Sequence, residues 1–180
     1  MKNIVLIYGI ISGCVLAAFV ALLLPFAVDT EVHREHGLLI GYSVMVLAFT
    51  AVFLGVRSYR EKFGGTISFG RALGVGLLIV LIASTFYVVA WEFTYFNFMP
   101  DYLDKYAAVE LQKMQAKGAS AAEMATARQE MEHFKTLYAN PFINVGMTFM
   151  EIVPVGLVMA LVSAAILRRK TPPAMATATA

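Results

Sequence analysis

The chain has 180 residues, of which 59% are hydrophobic and only 14% charged. So apolar a composition cannot be hidden inside a water-soluble domain of this size, which leaves a lipid bilayer as its solvent. The net charge of +2 comes from short basic segments beside apolar runs, with no basic stripe interleaved with aromatics, and this excludes a nucleic-acid partner.

Four apolar runs, 4–28, 38–56, 72–98 and 142–167, are each long enough to cross about 30 Å of hydrocarbon as a helix at about 1.5 Å per residue. The first carries the single cysteine, Cys14, so neither an intrachain disulfide nor a cysteine-rich metal site can form. Ile11, Ser12, Gly13 and Cys14 are similar to a lipoprotein cleavage box, but the residues after Cys14 stay apolar through Phe26 instead of turning polar. Pro25 and Ala27 make a poor pair at the small-residue positions of a signal cleavage site, so the first run is expected to remain as an anchor. Gly9 and Gly13, four apart, offer a face on which another helix can approach closely.

Between the first two runs stand Asp29, Glu31, His33, Arg34, Glu35 and His36. The default reading is a solvated linker. If the second helix starts early, His33 and His36 come within reach of one divalent metal, with Glu35 or Asp29 as further ligands, but so loose a spacing assigns no metal site. The second loop holds Gly64 and Gly65, followed by Thr66 and Ser68 as helix caps. Gly70 and Gly74 then repeat the small-residue spacing, which makes spans one and three candidates for close contact. No Lys with Ser or Thr closes this glycine pattern, as a phosphate-binding loop requires.

The third connection, 100–140, predicts a helical hairpin. Pro100 opens a helix whose Leu103, Ala107, Leu111 and Met114 recur at steps of three or four up to Gly118. Ser120 and Glu123 form a capping box for a second helix, with Met124, Ala127, Met131, Phe134 and Tyr138 on one stripe. Such narrow stripes suit an antiparallel cap that closes on itself and on the ends of the spans. The tail 171–180, rich in Ala, Thr and Pro, is expected to be disordered.

Charge gives direction. Lys2, Arg57, Arg60, Lys62, Arg71, Arg168, Arg169 and Lys170 flank one side, against Arg34 alone in the short first loop, so both termini are expected in the cytoplasm and the hairpin outside.

Two acids, Glu92 and Glu151, are embedded in apolar runs, where an ionised carboxylate is costly and is a functional candidate by default. Counted from Arg71, Glu92 is about 31 Å along its helix; counted from Arg168, Glu151 is about 25 Å along its own, so both are expected near the outer face. Trp91 and Tyr95, beside Glu92, are expected to favour the interface. Three readings stay open for the acids: ordinary hydrogen bonding, a carboxylate pair sharing a proton, or a cation site that uses the Met150 carbonyl freed by Pro154.

The segments 66–76 (TISFGRALGVG), 96–106 (FNFMPDYLDKY) and 164–170 (AAILRRK) resemble an uncharacterised family of bacterial four-span inner-membrane proteins, domain of unknown function 4199. The resemblance covers roughly residues 2–170 and implies a bacterial cytoplasmic-membrane address and four spans. It brings no activity, cofactor or catalytic residue.

The sequence therefore predicts an all-α polytopic membrane protein: one domain over 1–170 with four transmembrane helices and an extramembrane hairpin between helices three and four. No HExxH, GxSxG or Cys–His nucleophile pattern occurs, so no enzymatic activity, cofactor or metal is expected. The expected partners are the bilayer and either a second copy or another envelope protein, met through small-residue helix faces or the hairpin. The alternative is a small proton- or cation-coupled transporter using Glu92 and Glu151.

Overall fold

The computed structural model describes residues 2–27 and 30–168. The expected disordered tail, Asp29 of the first loop, and the Arg169–Lys170 end of the basic cluster lie outside the described residues, as do the side chains of Glu31 and Arg34. Every described element is helical: α1 (Lys2–Ala27), α2 (Glu31–Lys62), α3 (Phe69–Phe98), α4 (Tyr102–Ala116), α5 (Ala121–Tyr138) and α6 (Pro141–Leu167). Four of them, α1, α2, α3 and α6, are long and apolar enough to cross a membrane, and the protein is an all-α polytopic membrane protein.

The helix ends follow from local chemistry. The Thr30 side chain accepts the His33 N–H and starts α2, and Ser68 does the same for Arg71 at the start of α3. Gly64 and Gly118, at φ +92° and +83°, stop α2 and α4 in the left-handed region that glycine enters without steric cost. At Gly118 the Ala119 N–H reaches the Met114 carbonyl and the Gly118 N–H the Gln115 carbonyl, the double bond of a Schellman stop. Ser120 and Glu123 complete a reciprocal capping box, and Asn140 caps α6 with Pro141 in its first turn.

The start of α2 corrects the expected solvated linker: the helix begins at Glu31 rather than near 38. His33, Glu35 and His36 therefore occupy its first turns, because the Thr30 cap takes precedence over the polarity of the residues after it.

The four long helices form a square in the order α1, α3, α6, α2, with α2 and α3 also meeting across the diagonal. Phe49, Val52, Ile79 and Ile152 fill the centre with no exposed surface. Glycines set the closest approaches. A Cβ on Gly9 would lie 2.8 Å from Ile82 Cβ, and one on Gly13 2.7 Å from Phe86 Cβ, so α1 lies directly on α3 at these two turns. Gly156 of α6 is tighter still against Val80. Gly70 and Gly74 meet nothing within 4 Å. α3 turns Ala72, Val75, Gly76 and Ile79 inward at this end, which leaves the Gly70–Gly74 face without a described helix against it. Ser12 Oγ donates to the Ala48 carbonyl at 2.9 Å, a buried bond from α1 to α2. Leu47, Val89 and Ile166 are among the large apolar side chains facing outward, as helices solvated by lipid require.

Helices α4 and α5 form the antiparallel hairpin. Ala107, Leu111, Met114, Met124, Ala127 and Met131 are all half-buried between them, and Lys135 of α5 donates to Asp104 of α4. Leu103 and Tyr138 are buried where the hairpin meets the spans.

Candidate functional site

A cavity of about 820 Å³ opens between the hairpin and the spans. Its roof is one face of α4, including Tyr102, Tyr106 and Val109; one wall is the first half of α2, from His33 to Met45; the opposite wall holds Tyr87 and Trp91 of α3. Glu151 of α6 contributes the only carboxylate from the third and fourth spans. A smaller recess of about 450 Å³ shares Phe134, Tyr138 and Glu151 and adds Met147 and Met150, so Glu151 stands where the two spaces meet.

The first span reaches this cavity through an irregular turn. Residues Phe19–Leu23 form a π-turn, closed by the Leu24 N–H bonding to the Phe19 carbonyl. Pro25 follows; it has no N–H to continue the regular ladder, and the wider turn absorbs that break. Leu16, Phe19 and Leu24 then line the cavity from this side.

Behind Glu151 lies a buried polar network. Trp91 Nε1–H donates to Asn144 Oδ1 at 3.1 Å, and Asn144 Nδ2 donates to the Tyr138 carbonyl at 3.4 Å. Thr148 Oγ1 lies 2.9 Å from the Asn144 carbonyl and 3.2 Å from Asn144 Oδ1. Asn144 is fully buried, and it joins the end of the hairpin to α3 and α6. Around it the rings of Trp91, Tyr95, Tyr102, Phe134 and Tyr138 form one cluster. Trp91 meets Tyr102 edge-on at 5.4 Å, and Tyr95 meets Tyr138 edge-on at 5.3 Å. Each such pair contributes about 0.5–1.5 kcal/mol beyond its buried area. Burial, reinforced by the Glu151 charge, pushes the Tyr102 and Tyr138 hydroxyls up to about 12, so both are neutral hydrogen-bonding groups at ordinary pH.

The two embedded acids part company here. Glu151 is exposed to the lumen where the two spaces meet, and no described side chain forms an ion pair with it. Glu92 is half-buried, does not line the cavity, and keeps its Oε1 out of solvent without a hydrogen-bond partner. It follows Trp91 in sequence and so points about 100° around α3 from the residue that does line it. Trp91 and Tyr95 are buried within the protein at 7% and 8% exposure, because Asn144 and the hairpin rings cover them.

His33 lines the cavity wall, and burial holds it below its ordinary 6.5; His36 and Glu35 stand at the rim, 3.7 Å apart. Among the described residues no three His, Cys, Asp or Glu side chains converge on a metal position. Cys14 is exposed on the outside of α1, and His133 is exposed on α5.

Residue types alone missed the cavity and the Asn144 network. A signal for the network was present: Asn144, Thr148 and Glu151 fall at steps of four and three, a polar stripe along one face of an otherwise apolar helix.

No curated protein and no solved structure matches the chain. A family model described as a protein of unknown function, DUF4199, matches residues 7–169, which takes in all four spans and the hairpin. The chain therefore belongs to the DUF4199 family of proteins of unknown function.

Proposed function

We propose that this is a non-enzymatic integral membrane protein that holds an amphipathic small molecule in the cavity between its hairpin and its spans. The observation that carries the reading is the cavity itself. At about 820 Å³ it falls in the size range of small-molecule sites, and its lining is mostly apolar and aromatic, with charged side chains at its rim. The excess of Lys and Arg at the opposite ends of the spans favours a bacterial cytoplasmic membrane with both termini inside and the cavity facing outward. A ligand would then enter from the outer leaflet or the external solution.

Trp91 is the single tryptophan and lies in the cavity wall, so its emission reports on the site. In lipid nanodiscs, an alkyl amphiphile is expected to change Trp91 emission saturably. Gly41 lines the cavity, and a Cβ there meets nothing within 4 Å, so Gly41→Phe is expected to place its ring in the space. That variant should fold and lose the response; a response that is linear in the wild type, or unchanged in Gly41→Phe, contradicts the proposal.

A second reading is assembly, with another copy or another envelope component. The open Gly70–Gly74 face of α3 favours it, since small residues let a helix from outside the chain approach closely. Gly74→Leu would then shift the protein to a smaller species in nanodisc mass photometry. Coupled transport through Glu92 and Glu151 draws less support, because only Glu151 lines the cavity.

A further inference from the structure

Resting on that reading of the cavity, we infer that its ligand is an organic cation: a quaternary or alkylated ammonium head seated against Glu151 and the surrounding rings, with an apolar tail along α1 and α2.

The argument begins with charge. At the rim, Lys113 Nζ lies 2.8 Å from Glu110 and Lys105 Nζ 3.1 Å from Asp101, while Glu35, 3.7 Å from His36 Nε2, is exposed to solvent. His33, held below 6.5 by burial, is neutral at pH 7. Glu151 lies deeper, with no cationic partner among the described side chains. Among the described residues Glu151 therefore carries an uncompensated carboxyl where the two spaces meet, and a cation supplied from outside is its natural complement.

The rings add selectivity. Tyr87, Trp91, Tyr102 and Tyr138 line the space with Glu151, and Trp91 and Tyr102 stand at 84° to each other, forming a corner. A carboxylate beside perpendicular aromatic rings suits alkylated ammonium groups, whose diffuse charge is drawn to ring faces and which need few hydrogen bonds. A divalent metal would instead want several carboxylate or imidazole ligands, and no three His, Cys, Asp or Glu side chains converge here among the described residues. Phe19, Leu38 and Leu39 continue the wall and offer apolar surface for a tail. An alkyl anion of the same shape would place its head beside Glu151 and be repelled.

The test is a titration of Trp91 emission in phosphatidylglycerol nanodiscs with dodecyltrimethylammonium and with dodecyl sulfate, each below micelle formation and corrected for partition into protein-free discs. The wild type should bind the ammonium probe at least tenfold more tightly than the sulfate. Glu151→Gln should reduce ammonium affinity about tenfold or more and leave sulfate affinity unchanged or improved. Tyr102→Leu should weaken ammonium binding while Tyr102→Phe, which keeps the ring, retains it; this pair keeps the test valid if Glu151→Gln fails to fold. Competition by phosphatidylcholine added to the discs would assign the head to a lipid, and its absence to a free cation. Equal affinity for both probes, insensitive to Glu151→Gln and Tyr102→Leu but abolished by Gly41→Phe, overturns the cation assignment and leaves the cavity reading standing. Saturable binding of neither probe overturns both.

Discussion

Asn144 shows how one side chain fixes the geometry of the site. It is fully buried, accepts from Trp91 and donates to the backbone of Tyr138, so it holds the hairpin's last turn against the third and fourth spans. Replacing it with Ala leaves the Trp91 N–H buried without an acceptor, a loss of about 1–3 kcal/mol. Asn144→Ala should accordingly lower the thermal unfolding midpoint in nanodiscs and increase the exposure of Trp91 to a soluble quencher. Unchanged stability and quenching would mean that the hairpin is held by other contacts. Glu151 acts differently: it makes no described hydrogen bond or ion pair, so Glu151→Gln should change binding far more than stability. Acidity in an apolar run marked both Glu92 and Glu151 in the sequence, yet only the folded chain separates them, because which face of α3 or α6 looks into a cavity depends on the hairpin above.

The helices themselves were largely legible before folding. The Ser120–Glu123 box, the Gly118 stop and the stripe from Leu103 to Met114 all act within one or two turns, where sequence spacing is geometry. The bond from Ser120 holds the Glu123 carboxyl below its ordinary 4.5. Its stabilisation of the first turn of α5 is therefore fully present above about pH 4.5 and lost as pH falls through the lowered folded value. Ser120→Ala should raise amide exchange in that turn at neutral pH and reduce, without removing, this acid-dependent difference, since the backbone N–H of residue 120 still reaches the Glu123 carboxyl, leaving the spans unaffected. The start of α2 was less legible, since the acids and histidines after Thr30 have the composition of a loop, and only the cap geometry shows that they are helical. The glycines divide in a similar way. Gly13 and Gly156 lie against neighbouring helices while Gly74 does not, although all three stand in small-residue patterns. Gly156→Val should overpack α6 against Val80 and cost about 1–3 kcal/mol, whereas Gly74→Ala should leave monomer stability within about 0.5 kcal/mol in the same unfolding assay.

For the whole molecule, hydrophobicity and length dictate four spans, and the proposed direction, argued from the positions of Lys and Arg, can be tested by labelling. In a Cys14→Ala background, a cysteine placed at Gln115 in the hairpin should react with a membrane-impermeant maleimide on intact cells, and one at Gly64 only after permeabilisation; the reverse pattern would invert the topology. The cavity was not legible, because it exists only where a hairpin distant in sequence from α2 lies over it, and no local pattern encodes that distance. Helices one and three meeting at Gly9 and Gly13, with α4 roofing the opening beside α2, leave space that the core does not fill. The central claim is that this space is occupied in the working protein. The most direct measurement is a high-resolution structure of the full chain in lipid nanodiscs with dodecyltrimethylammonium. The account predicts elongated non-protein density between α2 and α4 with its head beside Glu151, Trp91 and Tyr102. A hairpin collapsed onto α2, with the space closed by side chains and no density beside Glu151, would contradict it.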